Sequence, residues 1–473
     1  MSPDYALGFR SAETERADVD CRVEGDLPSW LSGTLLRNGP AKFEVGGREL
    51  DHWFDGLAML TRYAVDGASD EVRYGNRFLR SDEYRAATSS GTVAAGQFGS
   101  GPDAGPLGSL LGLALPKVTD NANVHVQRVA GEHVAVTETP RALAFDPRTL
   151  ETLGHFEYDD RLDGHTRSPH PVRDPRREET VGLTTRFGPT SEYRLLRRPD
   201  GARSRDLFAR VEADVPAYLH SFALTDRHAV LTEHPLVVHP LRLLLSGGDS
   251  FVDRLSWEPE RGTRFRVVDR ATGEVVAAPR GDPCFVFHHV GAHDDGDEVV
   301  VDLVAFEDAD AVTAMSLSSL RAGDVGALRG ELRRYRLPLD GGAPTYETAF
   351  EAGLTLPRTN ETRWGEAERH VYGQGLDPDE PTFANRLVKV TVPGGESRAW
   401  SDADCYCGEP VFVPRPGGTA PDDGAVLAVA LNVAAERSEL VVLDGADMTE
   451  RARAALPHVV PFDFHGRFFR SLK

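Results

Sequence analysis

Short runs in which apolar and polar residues alternate, or in which apolar residues follow one another for about four to eight positions, recur along the whole chain and predict strands. The clearest are GEHVAVTETPRALAFD (131–146), DEVVVDLVAFED (297–308), AVLAVALN (425–432) and SELVVLDG (438–445). Each is bounded by Gly, Pro or Asp, the punctuation of hairpins rather than of strand–helix–strand units. Helix-period patterning is scarce, and Ala311–Arg329 (AVTAMSLSSLRAGDVGALR) carries the best of it.

The 46 glycines and 31 prolines supply the turns that a strand meander needs. With 473 residues the chain is long enough for two or three domains, or for one large domain built by repetition. Thr88–Pro102 and Gly417–Gly424 look like loops, yet neither separates two regimes of composition. The expectation is one large all-β domain over residues 1–473, either a propeller or a large sandwich, with any repeat worn down in sequence.

A net charge of −21 argues against a nucleic-acid partner, because phosphates are gripped by Lys and Arg. Lysine is confined to Lys42, Lys117, Lys389 and Lys473. That bias fits a high-GC genome and equally a salt-adapted acidic surface. Four cysteines are too few for a disulfide framework, and the Cys405–Cys407 pair lacks the second pair of a structural zinc site. The N-terminal stretch has no apolar signal-like core and no run approaches a membrane span, so a reduced, cytoplasmic setting is expected. Two shorter apolar stretches stand out, Pro106–Pro116 and Leu236–Leu245.

Of the 16 histidines, most need no role beyond a hydrogen-bonded surface or core residue. Four have distinctive contexts: His170 in SPHPVRD, His220 in AYLHSFALTD (which predicts an alternating strand), His288 opening the doublet of FVFHHVGAHDD, and His465 in PFDFHGRFF. No helix or hairpin can gather residues so far apart, whereas the innermost strands of propeller blades all pass one axis. A ring of imidazoles there would be a metal site. Neighbouring strand residues point to opposite faces, so only one of His288 and His289 can face such an axis, and patterning alone leaves the choice open.

The flanking motifs carry a resemblance. SGTLLRNGPAKFEVGGRELDHWFDGLAML (32–60) is similar to the N-terminal signature of the carotenoid cleavage oxygenases. NANVHVQRVAGEHVAVTETP, SPHPVRDP, AYLHSFALTD, FVFHHVGAHDD, LPRTN, GEPVFVPRPG and PFDFHGRFF follow in matching order over nearly the whole chain. The N-terminal part, through FLRSDEY, most resembles the animal-type β-carotene oxygenases and their isomerohydrolase relative.

The resemblance implies a seven-bladed β-propeller with a cap of loops and helices over an axial Fe(2+), held by His170, His220, His288 and His465. His289 is then left to packing. It further implies carboxylates behind the ligands. Glu138 and Glu409 match, while Thr355 stands where the family's third carboxylate is expected, leaving Glu351 or Glu361 as compensating candidates. Val124 occupies a position near the open coordination site where several alkene-cleaving members carry threonine and the isomerohydrolase carries valine. Pro106–Pro116 corresponds to a membrane-facing patch at the tunnel mouth in the family, although a buried cap helix would read the same way.

The implied activity is dioxygen-dependent cleavage of a carotenoid C=C bond to two aldehydes, by a cytoplasmic enzyme with peripheral membrane contact. Apocarotenoids or stilbenes are alternative substrates. Retinoid isomerohydrolysis and non-catalytic carotenoid binding are alternative functions.

Overall fold

Burial along the strands declines in a regular way across each sheet. In the sheet formed by residues 285–350, Glu298–Phe306 is buried at every position after Glu298, Glu331–Pro338 alternates, and Thr345–Phe350 is largely exposed. A Val-rich strand buried on both faces reads as a continuous apolar run, which explains why EVVVDLVAF gives so strong a signal. The outer strand faces solvent and gives almost none. The computed structural model describes residues 2–103, 118–245, 250–377, 379 and 382–472.

The architecture is all-β and propeller-like. Five sheets are antiparallel meanders built from consecutive segments: residues 125–156, 166–213, 223–281, 285–350 and 354–400. Besides two small two-stranded sheets, a ten-stranded sheet laces together the two ends of the described chain. Its central strand, Arg16–Gly25, pairs on one side with Glu71–Phe78 (Cys21 opposite Val72) and on the other with Glu450–Ala455 (Arg22 opposite Ala455). His465–Phe469 pairs with Ser32–Lys42, which places His465 opposite Asn38. Hairpin turns follow the expected chemistry. Ala130 and Gly131 both take positive φ, 49° and 89°, between paired strands, the geometry whose twist matches that of the flanking strands.

All four strong strand signals form strands, at Glu132–Val136 with Ala142–Phe145, Glu298–Phe306, Gly424–Asn432 and Arg437–Asp444. Ala311–Arg329 is helical only in pieces: Asp310–Thr313, Leu317–Ala322 and a 3-10 turn at Gly326–Leu328. Ser316 starts a new helix by accepting from the Ser319 N–H, and Gly323 ends it at φ 89°. Thr88–Pro102 is not loop throughout, because its first three residues finish the helix Asp82–Ser90. Patterning missed that helix, although Ser81 caps it, Asp82 and Glu83 fill its first turn, and Gly91 closes it at φ 65°. Pro106–Pro116 lies outside the described residues. Among the described residues, no helix is long and apolar enough to cross a membrane.

Candidate metal centre

The candidate histidines lie on or beside the edge strands of four sheets. His170 lies in the break between the short edge strands Thr166–Arg167 and Val172–Asp174, a break expected where Pro169 and Pro171 remove ladder donors. His220 departs from expectation. Its segment is irregular, with only Ala223–Leu224 forming a strand beyond it. Its backbone is tied instead by the Ser168 hydroxyl, which donates to the His220 carbonyl at 2.6 Å. His288 is on the edge strand Phe285–Asp295, and His465 begins His465–Phe469.

These four histidines, from four distant segments, converge. One ring nitrogen from each lies within 4.8 Å of the others. The Nε2 atoms of His170 and His220 are 2.9 Å apart, and those of His288 and His465 are 3.3 Å apart. Metal–imidazole bonds of about 2.1 Å put neighbouring ligands of one ion about 3 Å from each other, so the donor set fits a metal. Burial, reinforced by the neighbouring imidazoles, holds His170 and His288 well below the usual imidazole range. Burial does the same at His465, helped by His220 and by the cations Arg358 and Arg37. Neutral rings with inward Nε2 lone pairs are what a cation requires.

The outer nitrogens decide the tautomer. The His220 Nδ1–H donates to Glu138, which also accepts from the Tyr218 hydroxyl. The His465 Nδ1–H donates to Glu409 Oε1 at 2.7 Å, and the Gly466 N–H donates to Glu409 Oε2 at 2.9 Å. Glu409 is fully withdrawn from solvent, an expensive place for a carboxylate. Two cations flank it, Arg37 Nη1 and Arg358 Nη1, each 3.6 Å away. Arg37 is in turn anchored by a two-pronged bond to Asp463.

The doublet divides as strand geometry demands. His288 joins the cluster, while His289 turns away, with Nδ1 2.8 Å from Ser221 Oγ and Nε2 2.7 Å from Thr232 Oγ1. Thr355 is on the edge strand Leu354–Arg358, and its hydroxyl donates to Gln374 Oε1 at 3.0 Å. Neither suggested substitute for the missing carboxylate stands behind a clustered histidine. Glu361 accepts from Arg467 and Arg358, and Glu351 is exposed. Among the described residues, no carboxylate accepts from the His288 Nδ1. Val124 is buried immediately before the edge strand His125–Val129.

Patterning overlooked Arg37, Arg358, Asp463 and Tyr218, all of which lie inside the quoted motifs. It also overlooked His125, whose ring stacks 5.7 Å from that of His170 with its Nδ1 buried and unpartnered. Cys405 and Cys407 are buried thiols of an apolar cluster.

The cluster opens into a cavity of about 1370 Å³ lined by His220, His288 and His465 together with Val124, Thr355 and Glu138. Its remaining walls are chiefly aromatic and aliphatic, with Phe54, Phe98, Phe287, Phe306 and Phe464 prominent. That volume exceeds the roughly 300–1,000 Å³ usual for compact ligands and suits a long apolar one.

Known proteins agree with this picture. The profile of the retinal pigment epithelial membrane protein family matches residues 9–470. The rice protein named carotenoid cleavage dioxygenase 8 homolog A, chloroplastic, is 33% identical over 96% of this chain and 86% of its own length. The carotenoid isomerooxygenase of Galleria mellonella is 30% identical over 98% of this chain and 96% of its own. The solved structure of the cobalt-substituted apocarotenoid oxygenase of Synechocystis superposes with a TM-score of 0.88 at 26% identity, covering 99% of this chain and 98% of that one. A continuous family match, relatives at this identity and a shared fold together mean that the chain belongs to the carotenoid cleavage oxygenase family.

Proposed function

We propose that this protein is a non-haem iron(II) dioxygenase that cleaves a C=C bond of a carotenoid or apocarotenoid to two carbonyl products. The observation that carries the reading is the convergence of four imidazoles, three of which line a large apolar cavity. His170, His220, His288 and His465 would hold the metal. The chemistry supplied when iron(II) is bound is activation of dioxygen, both atoms of which end in the two carbonyl groups.

The chain does the rest by placement. Glu138 and Glu409 fix two tautomers and supply negative charge that imidazoles lack. Thr355 spends its hydroxyl hydrogen on Gln374, so only oxygen lone pairs face its other neighbours, without a charge. Phe-rich walls keep water from a polyene and align it. Val124 brings a methyl-bearing, non-bonding side chain to the metal end, and no general acid or base is required of any residue.

We read the ten-stranded sheet as two blades joined through Arg16–Gly25. Seven edge segments support this: 125–129, 166–174, 223–224, 285–295, 354–358, 405–414 and 465–469. A seven-bladed propeller over residues 1–473 follows, its cap formed by the helical pieces 310–328 and 82–90. Membrane contact at the mouth belongs to the same proposal. Leu241, 71% exposed, and Val118, 41% exposed, both line the cavity, which suits a cytoplasmic protein that draws an insoluble substrate from a lipid surface.

The test is anaerobic purification with iron quantified, then incubation with β-carotene and with apocarotenals while oxygen uptake and aldehydes are followed. One O2 consumed per bond cut supports the dioxygenase. Product without oxygen uptake overturns it in favour of isomerohydrolase chemistry, the reading that Val124 alone favours.

A further inference from the structure

Away from the large cavity, a second and much smaller one, of about 50 Å³, is walled by three arginines: Arg167, Arg198 and Arg205. Arg205 is neutralised, pairing with Asp160 at 2.7 Å and Asp163 at 2.9 Å. The other two are not. Arg167 and Arg198 are 9% and 8% exposed, and among the described residues neither forms an ion pair. Arg167 Nε makes one long bond, 3.4 Å, to the Thr137 carbonyl, and its Nη2 is buried with no partner. Arg198 gives Nη1 to the carbonyls of Pro199 and Ala202, and only a 3.4 Å contact to Thr180 Oγ1 from Nη2.

Asp163 acts on Arg167 and Asp200 on Arg198 only from beyond ion-pair distance, and both carboxylates are paired with other arginines, which leaves an excess of positive charge in a half-open pocket. A guanidinium does not escape by losing its proton, and a buried charge without a counter-charge is costly. Burial holds both side chains below the usual arginine value, which marks the same unmet demand. Water can solvate such a site but brings no charge.

We infer that this cavity binds one small monovalent anion, of the chloride or bicarbonate class, between the guanidiniums of Arg167 and Arg198. Its size admits such an ion, or one or two waters, and disfavours sulfate or phosphate. The hydroxyls of Thr180 and Thr184 and the second N–H of the Gln127 amide, whose first goes to the Pro169 carbonyl, add donors to the wall. The site shares that wall with the metal centre. The Arg167 N–H donates to the Glu138 carbonyl at 2.7 Å, and Ser168 Oγ both accepts from the His170 N–H at 3.1 Å and donates to the His220 carbonyl. Anion occupancy therefore braces the segment that carries His170.

Crystals of the full chain grown with millimolar bromide should show an anomalous peak between Arg167 and Arg198. In solution, at fixed ionic strength balanced with gluconate, chloride or bicarbonate should raise Tm by about 1–2 °C per tenfold concentration above its Kd. The ion with the lower Kd is the occupant. Arg167→Gln and Arg198→Gln should each abolish this dependence. Ordered water in place of bromide, or equal Tm in chloride and gluconate, overturns the proposal. Both of those readings come from the unaltered protein, so a variant that fails to fold does not spoil the test.

Discussion

Arg37 and Glu409 face each other with neither side chain reaching solvent, Nη1 lying 3.6 Å from Oε2. The same guanidinium holds Asp463 by its other edge, with Nε 2.7 Å from Oδ2. One arginine thus serves two buried carboxylates, and one of those carboxylates orients His465. Arg37→Met should strand Asp463, leave Glu409 with Arg358 as its one cation, and cost about 3–5 kcal/mol, read as a lower urea midpoint. Arg37→Lys keeps the charge but loses the two-pronged geometry, and should fall between the two.

The histidine doublet gives a second test. Ala at His170, His220, His288 or His465 should each lower the iron bound per chain toward zero. His289→Ala should retain iron while losing about 1–3 kcal/mol of stability, because Ser221 and Thr232 lose their buried partner. Iron stoichiometry set beside thermal melts separates the two outcomes.

The uneven support behind the ligands should show in metal affinity. Glu138→Gln removes the charge that His220 and Tyr218 share and should weaken iron binding about 10–100-fold. Thr355→Val removes no charge and should weaken it less than tenfold. Competition with a chelator measures both.

Acid sensitivity has a source outside the metal centre. Burial lowers His133 from 6.5 to about 4, and its Nε2 has no partner. Because the folded value lies below the unfolded one, the unfolded chain takes up the proton first. This histidine's contribution is intact above about pH 6.5 and is lost as pH falls toward 4. His133→Phe preserves packing on Phe145 and Phe469 while removing the titration, so Tm should fall less steeply over that window.

Strands were legible where both faces are buried, as at Glu298–Phe306, because burial writes itself as an apolar run, interrupted there only by Asp302 with its buried partner Arg334. Thr345–Phe350 left little trace because its outer position makes few demands on side-chain type. The helix Asp82–Ser90 escaped because its evidence is capping chemistry, not periodicity. His220 looked like a strand residue, yet hydrogen bonds from distant segments shape its backbone. Convergence of the four histidines rested on resemblance, since spacing alone admits many partners. The buried charges Arg37, Arg358 and Asp463 were invisible to patterning for a simpler reason. A charged residue in a sequence reads as solvated until its partner, 51 positions away for Arg358 and Glu409 and 426 for Arg37 and Asp463, is seen beside it.

The strand pairing that sets His465 opposite Asn38 has a kinetic consequence. Arg37 and Asp463 are 426 residues apart, so the edge that completes the histidine cluster forms by one of the longest loop closures available to this chain. Contacts of that range are slow to form and come late. On the proposed function, iron capture would accordingly report that this edge is in place: the metal would select finished molecules.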